Sequence, residues 1–330
     1  VKAYWISSAG FESHTADELP DLLLLENGFL WVDIPRFDDA AHRVLTQVFD
    51  FHPLAVQACR QRSHLPKLHV YADHVFIALL SPETSRLGQV HLLELDLFIG
   101  RQFLVTVHGP FGEAVALDSP LRERETRAAL RRLEGGDFKP ATSAELAYFL
   151  ATAIVRHMEA QAAALSEQVA SVERNTLKRA GADPEETLDE LFQLRHDLLA
   201  LHTLAAQSRT IFTRLSRLAN QAGQPEARRF YEDLQDQFEV VHGLCDAERD
   251  YLQGVINYYE SRTITKLNLA MERLALITVL LMPVTAIASL YGMNIIVFEQ
   301  TDVPHVAGVL FAIFLLSTLI FYYTKRRGWW

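Results

Sequence analysis

The stretch that decides the fold is Leu274 to Phe298, LALITVLLMPVTAIASLYGMNIIVF, which holds no Asp, Glu, Lys or Arg in 25 positions. After Glu299 and Asp302 a second such stretch, Val303 to Thr324, runs for 22 positions. The hydrocarbon core of a bilayer needs about 20 mostly apolar helical residues, so the two stretches read as membrane spans. The intervening loop is short, so they form a hairpin with both ends on one side. Lys325, Arg326 and Arg327 follow the second span directly and place that side in the cytoplasm, with Tyr322, Tyr323, Trp329 and Trp330 as an interfacial belt. The loop holds Glu299 and Asp302 and no Lys or Arg, as the outer side requires.

Working outward, the chain has 330 residues, 49% of them hydrophobic, and a formal net charge of -10. At roughly 150 residues per domain the length allows about two domains. Residues 274–330 carry a net +1, which leaves -11 on the first 273; residues 224–250 alone hold eight acids against three arginines. An acidic chain lacks the basic face that nucleic-acid phosphates demand, so no nucleic-acid partner is expected. Cys59 and Cys245 belong to no CxxC pair, and a disulfide framework or cysteine-rich zinc site is excluded. His64, His69 and His74, five apart, suit neither one helix face nor one strand face and read as surface or core histidines. The N-terminus shows no basic segment followed by an apolar run, so residues before the first span are expected to stay in the cytoplasm. No nucleophile–base arrangement, phosphate loop or HExxH is present, and no enzyme activity or organic cofactor is expected.

Residues 1–140 read as an α+β domain. Leu30–Ile34, Val75–Leu80, Leu92–Ile99 and Phe103–Val107 are predicted strands, and Phe37–Phe49 and Leu121–Leu133 predicted helices. Residues 141–223 read as a helical hairpin: Glu145–Arg179, then Thr187–Asn220, with Gly181 to Pro184 between them and Gly223 to Pro225 at the close. From Glu226 no proline occurs until Pro283, and a continuous helix over those 57 positions would be about 85 Å long. The expected organisation is therefore a stalk at 224–273, a first span at 274–294, an external loop at 295–305, a second span at 306–324 and a basic tail at 325–330.

A hairpin that merely anchors a soluble domain is the plainer reading of the spans. Against it stand Thr278, Pro283, Thr285 and Ser289, which a lipid anchor does not require. Asn268, Met271, Leu274, Thr278, Met282, Thr285 and Ser289 follow three- and four-residue steps and share one helix face. Its oxygen-bearing members can face a hydrated ion, and Met271, Leu274 and Met282 can form an apolar constriction. No Asp, Glu, Lys or Arg lies within either span, which favours potential-driven flow over proton-coupled transport. Two helices enclose no aqueous pore, so a conduit requires several copies of the chain.

Tyr291-Gly292-Met293-Asn294 ends the first span, ahead of a short outer loop, a final span and a basic tail. This arrangement resembles the CorA family of divalent-cation channels, whose signature is YGMN at that place. Upstream, Asn268, Met271, Leu274, Met282-Pro283 and Thr285 fall on that family's pore helix. His52-Pro53-Leu54-Ala55, and Leu65-Pro66-Lys67-Leu68 through Val75-Phe76-Ile77, are similar to its cytoplasmic domain. The likeness covers about residues 30 to 330.

The resemblance implies a homopentameric funnel in a bacterial-type inner (plasma) membrane, multi-pass, with both termini cytoplasmic. It implies a selectivity filter of Tyr291, Gly292, Met293 and Asn294, with Mg2+ as the expected transported ion and Co2+ or Ni2+ as further candidates. Mg2+ dehydrates reluctantly, so oxygen dipoles that accept from its retained waters suit it. A zinc transporter of the ZntB type, or a membrane-anchored cytoplasmic sensor or scaffold without conduction, are the alternatives. Glu299 and Asp302 would concentrate cations at the mouth, where the family often has Met-Pro-Glu-Leu and this chain reads Ile295-Ile296-Val297-Phe298-Glu299. In the family an acid on the stalk pairs with an acid of the neighbouring subunit to hold a regulatory Mg2+. Asp233 matches the stalk position and Asp236 lies one turn on. The partner acids are replaced by Gln57 and Ala58, followed by Cys59 and Arg60, so regulation by cytoplasmic Mg2+ is expected to be weak, relocated or absent.

Overall fold

The computed structural model describes residues 1–8, 10–84, 90–110, 123–178, 184–292 and 303–326. They fall into two compact units, Val1–Gln253 and Gly254–Trp330. The N-terminal unit is built on a seven-stranded sheet: β1 (Lys2–Ser7), β2 (Gly10–His14), β3 (Phe29–Ile34), β4 (Lys67–Val70), β5 (His74–Thr84), β6 (Val90–Gly100) and β7 (Phe103–His108). Its order is β2-β1-β3-β7-β6-β5-β4. The pairs are antiparallel except β3 with β7, which run parallel with Asp33 opposite Thr106.

Both faces of the sheet are covered. On one, Trp5, Leu30, Val32, Ile34, Phe76, Phe98, Val105 and Val107 pack under three short helices, α1 (Leu19–Leu22), α2 (Asp39–Arg43) and α3 (Pro53–Arg60). On the other lie α4 (Arg124–Glu134) and the N-terminal part of α5 (Ser143–Lys178). Burial on two faces explains why the central strands read as apolar runs rather than as alternating patterns.

Three long helices follow: α5, α6 (Pro184–Gln221) and α7 (Pro225–Gly292). Buried residues recur at heptad spacing on α6 (Leu191, Leu194, Leu198, Leu201, Ala205) and on α7 (Tyr231, Leu234, Phe238, Val241, Cys245). The two helices are antiparallel neighbours: Phe212 stacks on Phe238 with ring centroids 5.5 Å apart, and Arg209 pairs with Glu239. The turn between them is set by Gly223, whose φ of +66° lies in the left-handed region. Gln224 N–H closes the end by donating to the Ala219 carbonyl at 2.9 Å, and Pro225 opens the next helix. α8 (Val303–Arg326) completes the chain.

Polar groups inside the sheet are treated in two ways. Asp33 Oδ1 accepts from Thr106 Oγ1 at 2.8 Å and lies 3.1 Å from His108 Nε2, while Trp31 Nε1 donates to Thr106 Oγ1 at 3.2 Å. Burial pushes the Asp33 carboxyl up, but the His108 charge and the hydrogen bonds outweigh it and hold the group below its ordinary 3.8. Burial likewise depresses His108, and the Asp33 charge more than restores it, so the imidazole lies above its ordinary 6.5. Asp96 has no imidazole against it, and the lowering effect of the Cys59 thiol and the Lys67 charge is outweighed. Burial first, and then the Glu94 charge, drive it well above the usual carboxylate range, so it is held toward the neutral acid.

His108→Ala leaves the Asp33 carboxylate buried without its countercharge and is expected to cost about 3–5 kcal/mol. Asp33 contributes fully above its ordinary 3.8 and loses its contribution as pH falls through the lower folded value. His108 contributes fully below its ordinary 6.5 and loses its contribution as pH rises through the higher folded value. The gap in Tm between wild type and His108→Ala, followed by circular dichroism, is therefore expected to be widest between those two pH values and to narrow on either side.

Candidate ion pathway on the membrane hairpin

α7 and α8 are both long and apolar enough to cross a membrane. Sequence alone explains why α7 does not stop at Pro283. The ring removes one N–H and frees the carbonyl of Val279. In hydrocarbon that loss is tolerated when neighbouring Ser/Thr hydroxyls and local adjustments re-satisfy the backbone. Thr285 Oγ1, just beyond, bonds not to the Val279 carbonyl but to those of Leu281 at 2.9 Å and Met282 at 3.0 Å, and the helix continues to Gly292.

Within the C-terminal unit α7 is covered on one side only. Leu276 is buried, and Leu280, Pro283, Val284 and Ile287 are half-buried. On α8 the corresponding stripe is Val309, Ile313, Ser317 and Ile320. At 3.6 residues per turn, the stripe from Leu276 to Ile287 points about 180° away from the mean direction of Asn268, Met271, Leu274, Thr278, Met282, Thr285 and Ser289. All seven of those side chains are exposed in the single chain, Met271, Leu274 and Met282 each by two thirds or more.

The chemistry of this exposed face is that of neutral oxygen acceptors between apolar rings. Thr278 Oγ1 donates to the Leu274 carbonyl at 2.9 Å, and Thr285 spends its hydrogen on the same kind of bond. With the hydroxyl hydrogens used inside the helix, the oxygen lone pairs are left to accept from outside, as the waters of a hydrated cation require. Tyr291 and Gly292 form the last residues of α7. Met293, Asn294, Glu299 and Asp302 lie outside the described residues.

The sequence-derived regulatory acids sit on the N-terminal part of α7. Asp233 Oδ2 accepts from Tyr148 Oη of α5 at 2.6 Å and from Gln237 Nε2 at 2.5 Å. Asp236 lines an open cavity of about 450 Å³ together with Arg209, Arg214 and Arg217 of α6. Gln57 and Arg60 are exposed on α3, where Cys59 is buried.

A model of the CorA-like Mg2+ transporter protein family matches residues 26–326. The chain belongs to this family. CorA-family proteins are divalent-cation transporters, not enzymes. This member is 25% identical over 283 residues to the putative metal ion transporter YfjQ of Bacillus subtilis, covering 84% of this chain and 80% of that one. It is 23% identical over 304 residues to the cobalt/magnesium transport protein CorA of Thermotoga maritima, covering 91% and 83%. The fold matches the CorA magnesium transporter of Methanocaldococcus jannaschii with a TM-score of 0.81 at 18% identity, over 100% of this chain and 99% of that one. It also matches full-length CmaX with a TM-score of 0.74 at 18% identity, over 97% of each.

One cluster escaped the sequence reading. His202 of α6 and His242 and Asp246 of α7 present ligand-type atoms that all lie within 4.8 Å of one another. The His242–Asp246 spacing of four is visible in the sequence as one helix face. His202, forty positions earlier, joins it only through the antiparallel register of α6 on α7, which no local pattern reveals.

Proposed function

We propose that this CorA-family chain conducts hydrated divalent cations, Mg2+ foremost, down the membrane potential through a pore lined by the α7 helices of a homopentamer. The observation that carries this reading is the seven-residue face of α7, free of charge and turned away from the stripe that the hairpin covers. It leads to the Tyr291–Asn294 motif at the helix end. One hairpin has no lumen, so a charge-neutral face with oxygen acceptors finds an aqueous setting only among further copies of itself. In that assembly Asn294 and the backbone carbonyls of Gly292 and Met293 supply rings of dipoles to a retained hydration shell. Met271, Leu274 and Met282 supply the constriction, and Glu299 and Asp302 raise the cation concentration at the outer mouth. The basic tail keeps both termini in the cytoplasm. Relatives carrying cobalt/magnesium transport names support the ion class.

Regulation by cytoplasmic Mg2+ through Asp233 and Asp236 is weak in this reading. Asp233 is already engaged by Tyr148 and Gln237, Asp236 faces three arginines, and the opposing positions are Gln57 and Ala58.

In proteoliposomes with an internal Mg2+-sensitive dye and an inside-negative potential, the wild type is expected to give Mg2+ influx that Asn294→Ala reduces at least tenfold. No influx from the wild type would leave the non-conducting sensor as the function. Single cysteines at 274, 278, 285 and 289 are expected to react with a charged thiol reagent roughly tenfold faster than those at 276, 280 and 287. The native Cys59 and Cys245 are buried and contribute little background. Equal rates at both sets would remove α7 from the pore wall. Clamping Mg2+ on the cytoplasmic side between low and high concentrations is expected to change flux by less than about twofold, and strong closure at high Mg2+ would overturn the weak-regulation reading.

A further inference from the structure

We propose that His202, His242 and Asp246 form a site for a transition-metal ion of the Zn2+ class, which clamps α6 to α7 within one chain. The site is separate from the proposed ion pathway and from Asp233 and Asp236, and it stands whether or not the chain conducts. His202 Nε2 lies 3.2 Å from Asp246 Oδ1, and His242 Nδ1 lies 4.0 Å from Asp246 Oδ2. The two imidazole rings are 4.2 Å apart, centroid to centroid. Tetrahedral zinc with bonds of about 2.0–2.1 Å needs ligand atoms about 3.3 Å apart, so ligand atoms that already lie within 4.8 Å of one another draw in by at most about 1.5 Å to complete a three-ligand set. A water fills the fourth position in such sites.

The polar atoms of this cluster are poorly matched to one another without a cation between them. Asp246 Oδ1 is shielded from solvent and has no hydrogen bond of good geometry, although His202 Nε2 and Arg249 Nη2 are 3.2 and 3.0 Å away. All three ligands are only part-buried, so an ion and its water have access.

Two imidazoles and one carboxylate select against Mg2+, which prefers an all-oxygen octahedral shell, and favour Zn2+, Co2+, Ni2+ or Cu2+. Arg249 is the built-in competitor. Its guanidinium is 3.0 Å from Asp246 Oδ1 and 3.5 Å from Asp250 Oδ1, so it can leave the first carboxylate for the second when an ion arrives.

The test uses the full chain in detergent, stripped with a chelator, with Zn2+ or Mg2+ added alone and binding followed by calorimetry and by the shift in Tm. The expected result is one Zn2+ per chain, with a rise in Tm that Mg2+ at the same concentration does not give. His202→Ala and His242→Gln are each expected to weaken Zn2+ at least tenfold while leaving Tm in chelator near the wild-type value. Arg249→Gln is expected to tighten Zn2+ several-fold, which a merely structural cluster would not do. Asn294→Ala is expected to leave the site intact and separates it from ions held in the pore. Unchanged Zn2+ affinity in the His202→Ala/His242→Gln double variant, or equal shifts with Zn2+ and Mg2+, would overturn the proposal.

Discussion

The structure depends on one continuous helix, α7, whose hydrogen-bond ladder is interrupted at Pro283. From Pro225 to Gly292 every residue is helical, although its surroundings are expected to change from water to hydrocarbon along the way. In water an isolated helix gains most of its stability from packing an apolar face, and the heptad stripe from Tyr231 to Cys245, seated on α6, supplies that. In a bilayer the demand reverses: apolar side chains cost nothing, and every backbone polar group must find a partner inside the chain. Pro283 is where the second demand is hardest to meet, and the Thr285 hydroxyl beside it bonds back into the helix. The same two hydroxyls that serve the backbone, those of Thr278 and Thr285, are thereby turned from donors into acceptors toward the open face.

How much of this was legible in the sequence followed from how local each cause is. β3, β5, β6 and β7 declared themselves because burial on both faces makes their apolar runs continuous. β2 and β4 did not: as the two edge strands they keep exposed, polar positions such as Glu12, Ser13, Lys67 and His69. α3 was missed as a helix because its N-cap is His52, whose Nδ1 accepts from Leu54 N–H at 3.2 Å, where Ser, Thr, Asp or Asn is the usual signal. The parallel pairing of β3 with β7 joins residues more than 70 positions apart and leaves no periodic trace. The seven-residue face of α7 was legible for the opposite reason, since one helix fixes which residues share a side.

Charge is rationed in the same way. The N-terminal 273 residues hold -11, yet two of the carboxyls buried in the sheet are dealt with differently. Asp33 keeps its charge because His108 and Thr106 converge on one oxygen, and Asp96, beside Glu94, is pushed toward neutrality. The spans carry no Asp, Glu, Lys or Arg, so whatever faces a cation there does so as a dipole. A dipole ring binds a fully hydrated ion weakly enough to release it, which is the condition for flow.

Ligand softness then divides α7 along its length. On the face from Asn268 to Ser289 the polar side chains offer oxygen acceptors, suited to an ion that keeps its waters. Twenty-six residues before Asn268, His242 offers nitrogen on the same helix, and His202 meets it from α6. Imidazole gains most from ions that surrender water readily, and the order of affinities along the first transition row favours them over Mg2+ by chemistry rather than by size. On the two proposals above, a helix carrying both kinds of site treats the two classes of divalent ion differently without any difference in charge between them. Arg249 sharpens that division, because displacing a guanidinium from Asp246 costs a weakly bound hard ion more of its binding energy than it costs one that also gains two nitrogens.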